Sequence, residues 1–67
     1  MKTCIINYVH AHRIEQNVTQ EALAEAVGVS RQTIIAMEKG NYAPSVLLAL
    51  KIGEYFKTPI EKIFTLS

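Results

Sequence analysis

Apolar residues recur with a helical period in the stretch 19–40, on both sides of a break. Leu23 and Val27 lie one turn apart before the break, and Ile34 and Met37 lie three residues apart after it. Residues three or four apart share one face of a helix, so each pair predicts a short helix with a buried face. Helices this short are marginal by themselves in water, and we therefore expect the two to pack on each other.

The break between these helices has the residues of a tight turn. Thr19 and Ser30 stand where each helix would begin, and a hydroxyl there accepts a hydrogen bond from an N–H of the first turn. Gly28 can take the positive φ with which many helices end, and Val29 is an apolar plug in the turn. The spacing describes a helix-turn-helix whose second helix turns its polar face outward. An ordinary helical hairpin with a solvated polar face shares this spacing, so spacing alone leaves both readings open.

The segments on either side of the motif predict three further helices. The first runs from about Ile5 to Gln16. The fourth runs over 46–56, begins after a Ser45 cap, and has apolar residues at helical spacing. Pro59 suits the first turn of a short final helix over 59–63, after which residues 65–67 are expected to form an extended tail. The prediction is an all-α fold of five helices, with residues 1–67 forming one domain.

Composition limits the possible functions. Hydrophobic residues make up 49% of the 67 residues, which is enough for a packed core. Seven Lys and Arg against six Asp and Glu give a net charge of +1, so binding to nucleic acid would depend on local clustering of charge. Cys4 is the only cysteine, which fits a reducing compartment, and no apolar run is long enough for a signal peptide or a membrane span. We therefore expect a cytoplasmic protein.

The two histidines raise the question of a metal site. His10 and His12 are two residues apart and so point to different sides of a helix, and no further ligand stands out beside them and Cys4. The sequence also lacks a candidate catalytic triad, paired catalytic carboxylates and a phosphate-binding glycine loop. We expect no metal, no cofactor and no enzymatic activity.

Several short motifs follow one another in a fixed order along the chain. They are Thr19-Gln20-Glu21-Ala22-Leu23-Ala24, Gly28-Val29-Ser30-Arg31-Gln32-Thr33-Ile34, Glu38-Lys39-Gly40 and Pro44-Ser45. Together they resemble the Cro/C1-type (XRE) helix-turn-helix family, and within it a group of very small transcriptional regulators. The resemblance extends over nearly the whole chain, from Val9 to Leu66. It implies a compact, five-helix, lambda-repressor-like domain that binds double-stranded DNA.

The resemblance also implies which residues would meet DNA. The helix 31–39, the recognition helix, would enter the major groove. It would contact bases through Arg31, Gln32, Thr33, Ile35 and Ala36. The positions implied to contact phosphates are Gln20, Ser30, Lys39, Asn41 and Tyr42. Arg and Gln suit bidentate bonds to guanine and adenine, whereas Ile and Ala offer only apolar contact, for example to a thymine methyl group. Tyr42 equally suits a packing role in its loop.

Three other positions carry structural expectations from the family. Arg13 would help to fix the first helix, and Glu38 would hold the loop that follows the recognition helix. His12 stands where the family usually has a leucine, so either His12 lies at the edge of the core or Ile14 covers the gap.

Two readings of the function remain. The first is a sequence-specific regulator, expected to be a repressor, that binds an inverted-repeat operator as a homodimer, with Phe64 and Leu66 as candidate residues of the dimer interface. The second is an antitoxin-like or adaptor module that acts mainly through a protein partner. Ile35 and the low net charge motivate the second reading.

Overall fold

The structure is a computed structural model that describes residues 4–67. The elements in chain order are β1 (Ile5–Asn7), α1 (Val9–Glu15), α2 (Gln20–Val27), α3 (Arg31–Glu38), α4 (Val46–Phe56), a 3₁₀ turn (Ile60–Lys62) and β2 (Phe64–Leu66). Within residues 4–67, no helix is long and apolar enough to cross a membrane.

A single hydrophobic core joins these elements. Every α-helix contributes to it, and so does the residue that follows the 3₁₀ turn. The buried apolar residues are Val9, Leu23, Ala24, Val27, Ile34, Met37, Leu48, Ile52, Phe56 and Ile63. The helix α2 packs on both α3 and α4, so the core lies on the inner side of the helix-turn-helix.

Hydroxyl caps start three of the helices, as predicted. The side-chain oxygens of Thr19, Ser30 and Ser45 accept hydrogen bonds from backbone N–H groups in the first turns of α2, α3 and α4, at 3.0, 3.2 and 3.1 Å. Gly28 ends α2 with a φ of 78°, in the left-handed region. These caps fix the tight turn, and the predicted bounds of α4 are confirmed.

The prediction for the N-terminus was wrong in part, because residues 5–7 form a strand instead of the first turns of α1. The strand β1 pairs with β2 in an antiparallel sheet, with Ile5 opposite Leu66 and Asn7 opposite Phe64. The side-chain oxygen of Asn7 accepts a hydrogen bond from the Val9 N–H at 3.2 Å, across the junction between β1 and α1. β-branched isoleucines favour the extended conformation once a partner strand is present.

The C-terminal prediction also needs correction. The expected helix over 59–63 is a 3₁₀ turn over Ile60–Lys62, and Thr65 and Leu66 of the expected extended tail belong to β2. Residues 4–67 therefore contain four α-helices instead of the five expected, and a small sheet pairs β1 with β2. The all-α class and the helix-turn-helix architecture are confirmed.

Candidate nucleic-acid interface

The helix α3 has one buried face and one accessible face. Ile34 and Met37 are fully buried in the core, whereas Arg31 and Gln32 are exposed at the start of the helix. The other three predicted base-contact residues are half-buried: Thr33, Ile35 and Ala36. Apolar anchors on one side thus hold the helix while the opposite side stays accessible.

The predicted phosphate-contact residues lie in two groups. Gln20 and Ser30 are at the starts of α2 and α3, and Lys39, Asn41 and Tyr42 lie beyond the end of α3 and are all exposed. The Ser30 hydroxyl is already engaged, because it accepts the Thr33 N–H and lies 3.1 Å from the Thr33 hydroxyl. Tyr42 is 43% exposed and borders a hollow beside β1, so the structure leaves both a packing and a contact role open to it.

A polar hollow of about 580 Å³ connects the starts of α2 and α3. It is lined by Arg13, Thr19, Gln20, Glu21 and Arg31. The hollow brings the side chains of Gln20 and Arg31, predicted to contact phosphate and base respectively, to one place on the surface. The carboxylate of Glu21 at its border reduces the positive charge there.

A buried ion pair fixes the far end of α3. Arg13 Nε donates to Glu38 Oε2 at 2.8 Å, and Arg13 Nη2 donates to Glu38 Oε1 at 3.1 Å. Arg13 Nη1 also donates to the carbonyl oxygen of Val18 at 2.9 Å, and Gln20 Nε2 donates to Glu38 Oε1 at 3.1 Å. The last residue of α3 is therefore tied to α1 and to the first turn of α2, and Arg13 also holds the loop after α1. The role expected of Arg13 agrees with these contacts. Glu38, however, contacts α1 and α2 instead of the loop after α3 that it was expected to hold.

This environment shifts the pKa of both partners. Burial by itself would raise the pKa of Glu38, but hydrogen bonds from Arg13, Gln20 and His10, together with the charge of Arg13, hold that pKa below its ordinary value. The hydrogen bond to Glu38 raises the pKa of Arg13 in spite of the opposing effect of burial. Both groups therefore stay charged at neutral pH.

The two histidines point to different sides of α1, as predicted. His10 Nδ1 lies 3.0 Å from Arg13 Nη2 and 3.3 Å from Glu38 Oε1, at the border of the ion pair. The His12 ring is half-buried with its centroid 5.7 Å from that of Phe56, whereas Ile14 is 55% exposed. His12 thus lies at the edge of the core, and Ile14 does not cover the leucine position. Residues 4–67 contain no group of three or more His, Cys, Asp or Glu side chains suited to hold a metal.

One residue that supports α3 was missed in the sequence. Asn7 Nδ2 donates to the carbonyl oxygen of Met37 at 2.8 Å, which ties β1 to the last turn of the recognition helix. The available signal was a polar residue that follows two isoleucines and precedes a helix. The partner of its side chain, however, is thirty residues away in the sequence. No local pattern indicates that partner.

Comparisons with known proteins agree with this geometry. A family model described as helix-turn-helix matches residues 9–63. The chain belongs to the Cro/C1-type helix-turn-helix family. Within this family it is a transcriptional regulator with a helix-turn-helix DNA-binding domain.

The family includes relatives of similar length and at least one longer repressor. An uncharacterized HTH-type transcriptional regulator of Methanocaldococcus jannaschii is 55% identical over 58 residues, which cover 87% of this chain and 88% of that protein. The uncharacterized HTH-type regulator YgzD of Bacillus subtilis is 50% identical over 60 residues, with 90% and 91% covered. The cryptic phage CTXphi transcriptional repressor RstR of Vibrio cholerae is 31% identical over 51 residues, which cover 76% of this chain and 46% of the repressor.

Solved structures share the fold. A putative DNA-binding protein from Bacteroides fragilis has a TM-score of 0.84 at 23% identity, and the match covers 91% of this chain and 98% of that one. The transcriptional regulator VanUg has a TM-score of 0.79 at 24% identity, with 100% and 89% covered.

Proposed function

We propose that this regulator binds a specific inverted-repeat operator as a homodimer and represses transcription. The observation that carries the proposal is the two-sided character of α3. Ile34 and Met37 anchor it in the core, and Arg31 and Gln32 project from the accessible side. A helix held this way can present its N-terminal residues to base edges in the major groove.

The base contacts divide by chemistry. Arg31 and Gln32 would supply bidentate hydrogen bonds to guanine and adenine. The Thr33 hydroxyl already shares a hydrogen bond with Ser30, so the methyl group of Thr33 is its freer contact. Ile35 and Ala36 would press against thymine methyl groups. Hydrogen-bond specificity would then rest mainly on two residues.

The phosphate contacts would fix the helix in the groove. Lys39, Asn41 and Tyr42 form an exposed group beyond the end of α3, and Ser30 lies at the start of α3. Gln20 lies in the first turn of α2, with its amide against Glu38. Gln20 uses one N–H for Glu38, and an amide has a second N–H that can donate to a phosphate. Such contacts position the protein but do not read the sequence.

A dimer follows from the small number of contacts. One short helix reads few base pairs, whereas two related by a twofold axis read half-sites about 34–36 Å apart. Phe64 and Leu66 were the candidate interface residues, and Leu66 is 77% exposed while Phe64 packs partly against the core. The relative RstR, which is named a repressor, supports repression as the direction of control. We place the activity in the cytoplasm because of the cysteine usage.

The test is selection of bound duplexes from a random DNA pool by the purified protein at a fixed, moderate salt concentration. The expected result is an enriched inverted repeat. Its half-sites should be about 10–10.5 base pairs apart or a multiple of that, which corresponds to one turn of DNA. A Gln20→Ala variant should bind all sequences more weakly by a similar factor. A folded protein that enriches no sequence would contradict the proposal.

A protein partner is the second candidate. Its motivation is Ile35, a half-buried apolar residue on the side of α3 that also carries Arg31 and Gln32, in a chain of net charge +1. Ile35→Asn should then weaken a complex with a co-purifying protein and leave the affinity for DNA unchanged. Loss of DNA binding alone in this variant would favour the first candidate.

A further inference from the structure

The outer face of α4 carries large apolar side chains that no part of residues 4–67 covers. Val46, Leu47 and Leu50 are 75%, 63% and 52% exposed, whereas Leu48 and Ile52 on the inner face are at most 5% exposed. A helix in a small domain usually turns charged or polar residues toward water. Three neighbouring aliphatic residues at the outward positions therefore form a ridge without a partner.

A groove of about 530 Å³ lies beside this ridge, between α4 and the segment 58–61. Leu50 borders it, and Pro59 and Ile60 form its other side. Gly53 explains the close approach of the two walls, because a Cβ at that position would lie 2.8 Å from Ile60 Cγ2. The glycine therefore seats Ile60 directly on α4 at the base of the groove.

Charges of both signs surround the groove. Glu54 and Glu61 supply carboxylates and Lys57 supplies an ammonium group. Lys51 adds a second cation on the exposed side of α4. Two acids and two bases near one apolar patch can each meet an opposite charge only on a partner that also carries both signs. A partner of a single charge sign would repel half of these groups.

We propose that this face, made of Leu47, Leu50, Lys57, Pro59 and Ile60, is the dimer interface, and that its occupant is a second copy of this chain. A twofold interface uses the same patch on both subunits, so the patch must complement itself. The ridge of one copy can enter the groove of the other, and the acids of one copy can approach the bases of the other. This assignment rests on the proposed homodimer and places its surface on α4 and the segment 58–61 instead of at Phe64 and Leu66.

The location of the groove is compatible with DNA binding. Its lining comes from α4 and the segment 58–61, and none of the residues proposed to contact bases or phosphates lines it. A second copy seated there leaves the accessible side of α3 open. Leu66 on β2 is the natural comparison, because it is an aliphatic residue that is 77% exposed and lies outside the groove.

The experiment is sedimentation velocity of the full chain over about 1–100 μM, a range that detects micromolar dimers. Two matched variants, Leu50→Glu and Leu66→Glu, each place a carboxylate at an exposed aliphatic position. Circular dichroism checks that both remain folded. The wild type and Leu66→Glu should form dimers of similar affinity. Leu50→Glu should raise the dimer dissociation constant about 100-fold or more, because each dimer contains the change twice.

Two results would overturn the assignment. One is a folded Leu50→Glu variant that dimerises as the wild type does, and the other is a wild type that stays monomeric throughout this range. Loss of the dimer in Leu66→Glu alone would move the interface to the sheet. The DNA function is tested separately: a wild type that dimerises through Leu50 but enriches no operator would refute specific DNA binding and leave the interface intact.

Discussion

The guanidinium of Arg13 and the carboxylate of Glu38 form an ion pair whose side chains are only 9% and 7% exposed. The pair joins α1 to the last residue of the recognition helix, and Gln20 adds a hydrogen bond from α2 to the same carboxylate. Three helices therefore meet at one acidic group. A small core can hold α3 by its apolar face, but this polar contact fixes where the helix ends relative to α1 and α2.

Removal of the carboxylate should destabilise the fold. Glu38→Ala leaves the buried guanidinium of Arg13 without its counter-charge, and breaking a buried pair in this way costs about 3–5 kcal/mol. The free energy of unfolding in urea measures the loss. Glu15→Ala, which removes an exposed acid at the end of α1, is the control and should change stability by less than about 0.5 kcal/mol. Similar values for the two variants would mean that the pair contributes little.

The same pair predicts how stability depends on pH. The pKa of Glu38 is lower in the folded protein than its ordinary value of 4.5, so the folded state favours the ionised form. Its contribution is complete above the unfolded pKa and is lost as pH falls through the folded pKa. The free energy of unfolding should therefore be measured from neutral to acidic pH. As the pH falls below the ordinary value of 4.5, it should decrease less steeply for Glu38→Gln than for the wild type. Parallel curves would contradict the assigned shift.

The helix-turn-helix and α4 were predictable because their signals are local. Ser30 and the Thr33 N–H that donates to its hydroxyl are only three residues apart in the sequence. The apolar period of α4 likewise spans only a few turns. The sheet was not predictable in this way, since Ile5 and Leu66 pair across nearly the whole chain. A run of three residues fits a strand or a helix equally well, and only its distant partner decides.

The support for α3 shows the same limit. Polar residues of suitable type were visible in the sequence, and the family resemblance implied a structural role for Arg13 but gave Glu38 a different contact from the one observed. Arg13 and Glu38 bind each other across 25 residues of sequence, and Asn7 binds the Met37 carbonyl oxygen across 30 residues. Local patterns identify the helix that would meet DNA, whereas the contacts that orient it depend on the tertiary fold.

Asn7 should prove important to the stability of the fold. Its amide N–H donates to the Met37 carbonyl oxygen and its amide oxygen accepts from the Val9 N–H, so Asn7→Ala removes both a bond to α3 and a bond to the first residue of α1. We expect a loss of about 1–2 kcal/mol in thermal or urea unfolding. Asn41→Ala, at an exposed loop position, is the matched control and should be nearly neutral. An Asn7→Ala protein as stable as the wild type would show that water replaces both bonds without cost.

Gln32 and Lys39 should differ in the way each affects DNA binding. Gln32→Ala should cost about 1–3 kcal/mol at one base pair of the selected operator and relax the preference there, because the lost hydrogen bonds go to a base edge. Lys39→Ala should weaken binding to every sequence alike and reduce the slope of log affinity against log salt by about 1, because its partner is a phosphate. Binding titrations of both variants, on the operator and on duplexes with single base-pair changes, at several salt concentrations, separate the two patterns. If Gln32→Ala lowers the affinity for all these duplexes equally, then Gln32 contacts the backbone and Arg31 becomes the chief reader of bases.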